Sequence, residues 1–310
     1  MMTTLLLSHD SGLQHATPAG HPERPDRLRA INAVLEEEQF ADLAREPAPE
    51  GEFEAITRVH PMVYVEAMRA AVPKQGLARI DADTALSSTS WEPILRAVGG
   101  AVLAVDEVMN GHADNAFVAM RPPGHHAETA TAMGFCFFNN AAIAARHAQK
   151  HYGAERVAII DFDVHHGNGS QEIFWSDASV MYCSTHEMPL YPGTGARSER
   201  GEHDNVVNAP MAAGSGGAEF RAAVEAAILP RVDSFRPDLV VISAGFDAHM
   251  RDPLANINLT EGDYTWVTQK LMEVADKHAQ GRVVSVLEGG YDLQGLSQSV
   301  AAHVKALMRG

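Results

Sequence analysis

The chain has 310 residues, 45% of them hydrophobic, and a formal net charge of −16. That length and apolar content allow one large α/β domain or two small ones, and the acidity excludes a general nucleic-acid binder, which would present a basic face. Two cysteines form no disulfide framework, no apolar run reaches the ~20 residues of a membrane span, and the start MMTTLLLSHDSG lacks the basic n-region of a signal peptide, so a reducing, cytoplasmic setting is expected.

Thr4–Leu7 reads as a first strand running into a polar loop, Ser8–Pro25, which ends in His21-Pro22-Glu23-Arg24-Pro25. Two prolines stiffen that end. From Arg24 to Phe40 the spacing of Leu28, Ile31, Val34 and Leu35 predicts a helix. Pro47–Gly51 breaks it, and Pro61 suits the first turn of a helix reaching about Ala71. Pro73–Ser90, rich in Ser, Thr and Asp, is expected to be a long connection, with Ser90 as N-cap of a helix over Trp91–Asn110.

Ala116–Met120 is the next strand, and it enters Arg121-Pro122-Pro123-Gly124-His125-His126-Ala127-Glu128, a rigid turn with tandem histidines. Gly134-Phe135-Cys136-Phe137-Phe138-Asn139-Asn140 follows, then an alanine-rich helix to about Tyr152. Val157-Ala158-Ile159-Ile160 is a short apolar, β-rich run of the kind buried on both faces of a parallel sheet. It turns abruptly polar at Asp161, Asp163, His165, His166 and Asn168, where Gly167 and Gly169 free the backbone.

Val180–Ser184 is a further strand, opening on a loop with Leu190-Tyr191-Pro192-Gly193-Thr194-Gly195. Gly214–Gly217 precedes a helix to about Pro230. Leu239–Ser243 is another buried strand, ending in Ala244-Gly245-Phe246-Asp247-Ala248-His249. Thr260–Ala279 is helical with Thr260 as its cap, Val283–Leu287 is the last strand, ending in Glu288-Gly289-Gly290-Tyr291-Asp292, and a final helix follows. Strands alternate with helices throughout, and no linker or repeat interrupts them. The fold class is therefore α/β: one domain over 1–310 with a mainly parallel sheet.

In an open α/β sheet the chemistry lies at the carboxyl ends of strands. Four strand ends here pair glycine with His, Asp or Tyr: His125/His126, Asp161–His166, Asp247 and Tyr291. Alternate residues of an extended segment share a face, so Asp163 and His165 can reach one ion together. Alone, such an Asp-x-His pair fits a polar loop equally well. With Asp247 it offers three ligands to Zn²⁺ or a similar ion, leaving positions for water and substrate. A histidine pair offers a base and a tyrosine offers a hydroxyl to a developing oxyanion: the parts of metal-assisted hydrolysis. No G-x-S-x-G elbow, P-loop or Rossmann fingerprint is present.

RPPGHHAE, GFCFFNN, DFDVHHGNG, YPGTG, SAGFDAH and LEGGYD occur in this order over nearly the whole chain. Together they resemble the zinc-dependent histone deacetylase family, of the three-layer αβα arginase–deacetylase fold, and HPERPDRL near the start resembles its class II branch. The compact length points to a prokaryotic histone deacetylase-like amidohydrolase. The resemblance implies Zn²⁺ on Asp163, His165 and Asp247. It implies His126 as general base and His125 as its electrostatic partner, hydrogen-bonded to Asp161. Asn168 holds the position pairing with His126 where class I members carry Asp, so His126 is expected to be less basic than in those relatives. Tyr291 matches the carbonyl-polarising tyrosine. Gly134, Phe135, Tyr191, Leu254 and Gly289 match the substrate tunnel, with Tyr191 a departure from the usual Phe. Potassium is implied at Asp161, Asp163, His165 and Ser184, with a second site near Phe174 and Val180. His21 is expected near the tunnel rim, and His9, His15, His60, His186, His203 and His249 carry no assignment, nor do Cys136 and Cys183.

The implied activity is removal of an acetyl or related acyl group from ε-amino lysine of a protein or peptide. Rivals are an acetylpolyamine amidohydrolase, acting on a small acylated amine, and a silent acyl-lysine binder. An arginase-like manganese site is disfavoured, because a two-metal centre needs more carboxylates. No nucleic-acid or membrane partner is expected, and a homo-oligomer is left open.

Overall fold

The computed structural model describes residues 3–309. Its strands are β1 (Thr4–Ser8), β2 (Ala44–Pro47), β3 (Leu77–Arg79), β4 (Ala85–Ser87), β5 (Asn115–Ala119), β6 (Val157–Asp161), β7 (Val180–Glu187), β8 (Val206–Met211), β9 (Leu239–Ala244) and β10 (Val283–Leu287). Its α-helices are α1 (Asp26–Leu35), α2 (Phe53–Ile56), α3 (Met62–Ala71), α4 (Trp91–Met109), α5 (Asn140–Tyr152), α6 (Asn168–Ile173), α7 (Gly217–Ala223), α8 (Leu229–Phe235), α9 (Glu261–His278) and α10 (Leu293–Arg309). Eight strands form one sheet in the order β2-β1-β5-β10-β9-β6-β7-β8, and every pairing in it is parallel.

Alternate strand residues face opposite layers. Ile159 and Val241 pack with Val98 of α4 and Ala142 of α5. Ile160 and Ile242 pack on the other side with Leu28 of α1, Leu271 of α9 and Val300 of α10. Burial on both faces is why these strands read as unbroken apolar runs, and it produces three layers, helix–sheet–helix. No described helix is long and apolar enough to cross a membrane.

Several expected elements shift. The helix expected to Phe40 ends at Leu35, and a 3-10 turn covers Glu38–Phe40. Three consecutive glutamates, Glu36–Glu38, would meet the negative end of a longer helix. Ser90 does not cap α4: its hydroxyl is taken by His15 Nδ1 at 2.7 Å and by the Ser87 N–H at 2.8 Å. Thr260 does begin α9, where the Asp263 carboxylate accepts its N–H at 2.9 Å. The long connection before Ser90 contains the antiparallel pair β3–β4.

The stiff loop after β1 is clamped to the far end of β10. Buried Glu23 receives Arg27 Nη1 at 3.1 Å and Arg121 Nη2 at 2.6 Å. Arg27 in turn donates to the carbonyls of Glu288 at 2.5 Å and Gly290 at 2.6 Å. Burial alone would raise the Glu23 carboxyl, but Arg121 and Arg27 overcome it and hold the group at about 2, below its ordinary 4.5. A depressed folded-state pKa means stabilisation that is complete above pH 4.5 and lost as pH falls toward about 2. Glu23→Gln should remove that pH dependence and cost about 3–5 kcal/mol, because two guanidiniums stay buried without their anion. Denaturant unfolding at pH 7 and pH 4 checks this. An unchanged midpoint at pH 7 would refute it.

Candidate active site and metal centre

Strands β5, β10, β9 and β6 are consecutive neighbours in the sheet, so their carboxyl ends form one edge. β5 leads to His125 and His126, β6 ends at Asp161 and leads to Asp163 and His165, β9 leads to Asp247, and β10 to Gly289 and Tyr291. All these residues are buried.

Asp163, His165 and Asp247 offer ligand atoms within 4.8 Å of one another. His165 Nδ1 lies 3.2 Å from Asp163 Oδ1 and 3.1 Å from Asp247 Oδ2. The remaining carboxylate oxygens are held from behind: Gly289 N–H donates to Asp163 Oδ2 and Val164 N–H to Asp247 Oδ1, each at 2.8 Å. Gly289 was expected in the tunnel, but it packs beneath the carboxylates. A Cβ there would stand 2.1 Å from Asp247 Oδ2 and 2.6 Å from Asp163 Oδ2, so only glycine leaves them in place.

The electrostatics record this convergence. Burial and the nearby Asp163 push Asp247 up to about 6. Asp163 is held well below the usual carboxylate range against its burial, by the His125 and His165 imidazoles. Burial would lower His165, but its bonds to Asp163 and Asp247 push it up to about 10. Two carboxylates and one imidazole on a common point are the donor set of a borderline divalent cation.

His125 and His126 have ring centroids 4.0 Å apart, tilted by 44°, and differ in their anchors. His125 Nδ1 pairs with Asp161 Oδ2 at 2.9 Å, and Tyr182 donates to the same oxygen at 3.0 Å. Despite burial, Asp161 and Asp163 raise His125 well above its ordinary value. His126 Nδ1 meets Asn168 Oδ1 at 2.8 Å. Burial, then the neighbouring His125, lower His126 well below its ordinary value. Paired titratable groups pushed in opposite directions are a mark of acid–base sites.

A cavity of about 220 Å³ opens over these groups, lined by Asp83, His126, Gly134, Phe135, His165, Leu190, Tyr191, Leu254 and Tyr291. Phe135 stands edge-on to Tyr291 at 5.9 Å, and Tyr191 edge-on to His126 at 5.2 Å. Gly134 has φ +57°, and a Cβ there would run into the His126 ring. Burial raises Tyr291 well above its ordinary value, so it keeps its proton. Asp252 accepts the Tyr291 N–H at 2.7 Å and the Leu254 N–H at 3.0 Å, holding both on the cavity wall.

Ser184 is the register partner of Asp161 across β6–β7, and its hydroxyl meets His186 Nδ1 at 2.9 Å. Near Phe174 and Val180, Asn205 Nδ2 faces the carbonyls of Phe174, Asp177 and Val180 at 2.8, 3.1 and 3.0 Å. Its Oδ1 is buried with no hydrogen-bond partner among the described residues. His21 lies behind the lining residues Phe135 and Asp83, 4.7 Å edge-on to the Phe135 ring and 3.0 Å from the Asp83 carbonyl.

Asp83 had no signal in the sequence beyond an acidic run, Asp81-Ala82-Asp83, and it reaches the cavity because the β3–β4 turn carries it there. Glu128, bonded to Asn168 Nδ2 at 2.9 Å, was equally unmarked, although it sits in the same motif as the histidines.

A family model described as a histone deacetylase domain matches residues 21–307. The chain is 38% identical to a "Probable deacetylase" of Archaeoglobus fulgidus, covering 100% of this chain and 87% of that protein. It is 38% identical to a "Histone deacetylase-like amidohydrolase" of Pseudomonas aeruginosa, covering 90% of this chain and 74% of that one. The crystal structure of the HDA15 HD domain superposes with a TM-score of 0.94 at 37% identity, over 99% of this chain and 88% of the other. Motif order, fold and sequence agree across the chain, which belongs to the histone deacetylase family of hydrolytic enzymes.

Proposed function

We propose that this chain, acting as one catalytic domain, is a Zn²⁺-dependent deacetylase that removes acetyl or related acyl groups from ε-amino lysine. The observation behind this reading is a cavity that joins His126, His165 and Tyr291 between the walls of Phe135 and Tyr191. The donor set of Asp163, His165 and Asp247 suits Zn²⁺. A Zn²⁺ held there would supply Lewis-acid polarisation of the amide carbonyl and would lower the pKa of water.

The protein groups divide the remaining work. Phe135 and Tyr191 hold the aliphatic stem of an acyl-lysine, and their apolar faces exclude bulk water. His126, neutral and with Nδ1 engaged by Asn168, takes the proton of the attacking water at Nε2. Tyr291 donates its hydroxyl hydrogen to the carbonyl oxygen as charge develops there. The histidine pair then returns a proton to the leaving amine, with His125 held cationic by Asp161. Potassium is assigned to the oxygens around Asp161, Asp163, His165 and Ser184. A second potassium would be held near Phe174 and Val180, whose carbonyls converge on the Asn205 amide.

A second reading, hydrolysis of an acetylpolyamine, is favoured by one observation: the Asp83 carboxylate lines the cavity and could pair with a distant ammonium. Leu254 argues the other way. It lines the same mouth, 36% exposed, and offers apolar contact where a carboxylate would select a cation. Acetyl-lysine peptides should therefore give higher kcat/KM than acetylspermidine. Leu254→Glu should shift that ratio toward the polyamine by about 1–3 kcal/mol if the new charge pair is partly shielded. A panel of acyl-lysine peptides and acetylpolyamines with zinc-loaded protein tests both points. Wild-type preference for acetylspermidine would reverse the substrate assignment, and absence of turnover on every amide would leave only an acyl-lysine binder.

A further inference from the structure

We infer that Glu128 is a positioning residue that decides which nitrogen of His126 carries the proton. The inference rests on the proposed role of His126 as base.

A neutral imidazole donates from one nitrogen and accepts at the other, and only the accepting nitrogen can take a proton from water. His126 Nδ1 lies 2.8 Å from Asn168 Oδ1. A carboxylate in that place would fix the tautomer unaided, since both of its oxygens accept. An amide does not, because it has an accepting side and a donating side. Something else must hold it with the oxygen toward His126.

Two groups on the far side of Asn168 do so. Its Nδ2 donates to Glu128 Oε1 at 2.9 Å and to Met133 Sδ at 3.3 Å. An ionised carboxylate and a thioether have no hydrogen to give. With the amide turned over, Asn168 Oδ1 would face two acceptors and its NH₂ would face His126, and both outer bonds would be lost. The observed orientation keeps them. It requires His126 Nδ1 to be the donor, which leaves the Nε2 lone pair for chemistry. Asn168 and His126 are 6% and 4% exposed, so bulk water does not readily replace these bonds. Glu128 itself is half-buried beside a wider outer cavity of about 470 Å³ shared with Gln171 and Trp175. The base and the group that orients it thus lie two residues apart on one short loop, pinned by the Glu128 N–H to Thr131 at 3.0 Å.

The chemistry predicts an inversion. Glu128→Lys puts a donor where an acceptor was, draws Asn168 Oδ1 round, turns the NH₂ toward His126 and moves the ring proton to Nε2. Adding Asn168→Asp should cure this, because a carboxylate accepts from both Lys and His126. Glu128→Gln can still accept through Oε1 and should behave as wild type.

The test is a long-range ¹H–¹⁵N correlation on ¹⁵N-histidine-labelled, zinc-loaded protein, with the His126 signals identified by their loss in His126→Ala. Wild type and Glu128→Gln should carry the proton on Nδ1, Glu128→Lys on Nε2, and the double variant on Nδ1 again. Turnover of an acetyl-lysine peptide should follow. kcat should fall about 10²- to 10⁴-fold in Glu128→Lys, the cost of losing a base or its correct tautomer, with KM within about twofold and most of kcat restored in the double variant. Should the lysine variant fold poorly, Glu128→Arg makes the same test with another donor. A His126 that keeps its proton on Nδ1 in the folded Lys or Arg variant overturns the inference, as does failure of Asn168→Asp to restore it. The tautomer readout needs no turnover. If the proton moves as expected while His126→Ala retains full kcat, the orienting role of Glu128 stands and the base assignment falls.

Discussion

Asp163→Ala and Asp247→Ala should each abolish metal binding and hydrolysis. Each removes one of the three proposed ligands, and with it one of the two carboxylates that flank His165 Nδ1. Loss of a single ligand from a three-ligand site leaves too few donors to hold the ion in its open geometry. Gly289→Ala should do the same without touching a ligand, because its Cβ would displace both carboxylates. Asp161→Asn acts one bond further out, through His125, and should cost only about 10- to 100-fold in affinity or activity. Metal content by elemental analysis, read beside circular dichroism to confirm folding, decides the matter. Full zinc occupancy in both alanine variants would remove the triad from consideration.

The second large effect concerns proton transfer. His126→Ala should lower kcat by about 10²- to 10⁴-fold, the range for removing a general base. Tyr291→Phe should lower it by about 10²- to 10³-fold, as for one oxyanion donor. Both variants should keep their metal, since neither side chain belongs to the triad. Tyr291→Phe should also leave the fold intact: the ring stays under the Arg27 guanidinium, 5.1 Å from its centroid, and the Asp252 bond is to the backbone. Near-wild-type turnover by the phenylalanine variant would contradict the oxyanion role.

The limits of the sequence reading lie in particular residues. β2, Ala-Arg-Glu-Pro, is mostly exposed at the sheet edge and has no apolar run to mark it. β8 contains Asn208 and Pro210, and it is a strand because β7 pairs with it. Ser90 and Thr260 looked alike as caps, yet a buried histidine 75 residues away claimed the serine hydroxyl. Asn168 was singled out for lacking a carboxylate's charge. The carboxylate is present one bond further out, in Glu128, and nothing local ties the two.

What the sequence by itself determined is the alternation of buried apolar strands with amphipathic helices, hence the α/β class, and the residue types at each strand end. Those are local properties: burial on two faces makes a strand uniformly apolar, and helical periodicity repeats within a few residues. What the tertiary structure alone decided is the neighbour order β5-β10-β9-β6, which follows no order in the chain. That order brings His126, Asp163, Asp247 and Tyr291 to one edge, it moves Gly289 from the expected tunnel to the floor of the site, and it turns Asp83 and Glu128 from unremarked residues into its mouth and outer brace. Strand order is settled by which non-local pairings bury both faces of the sheet at once, a condition on the whole packed molecule that no short window of sequence expresses.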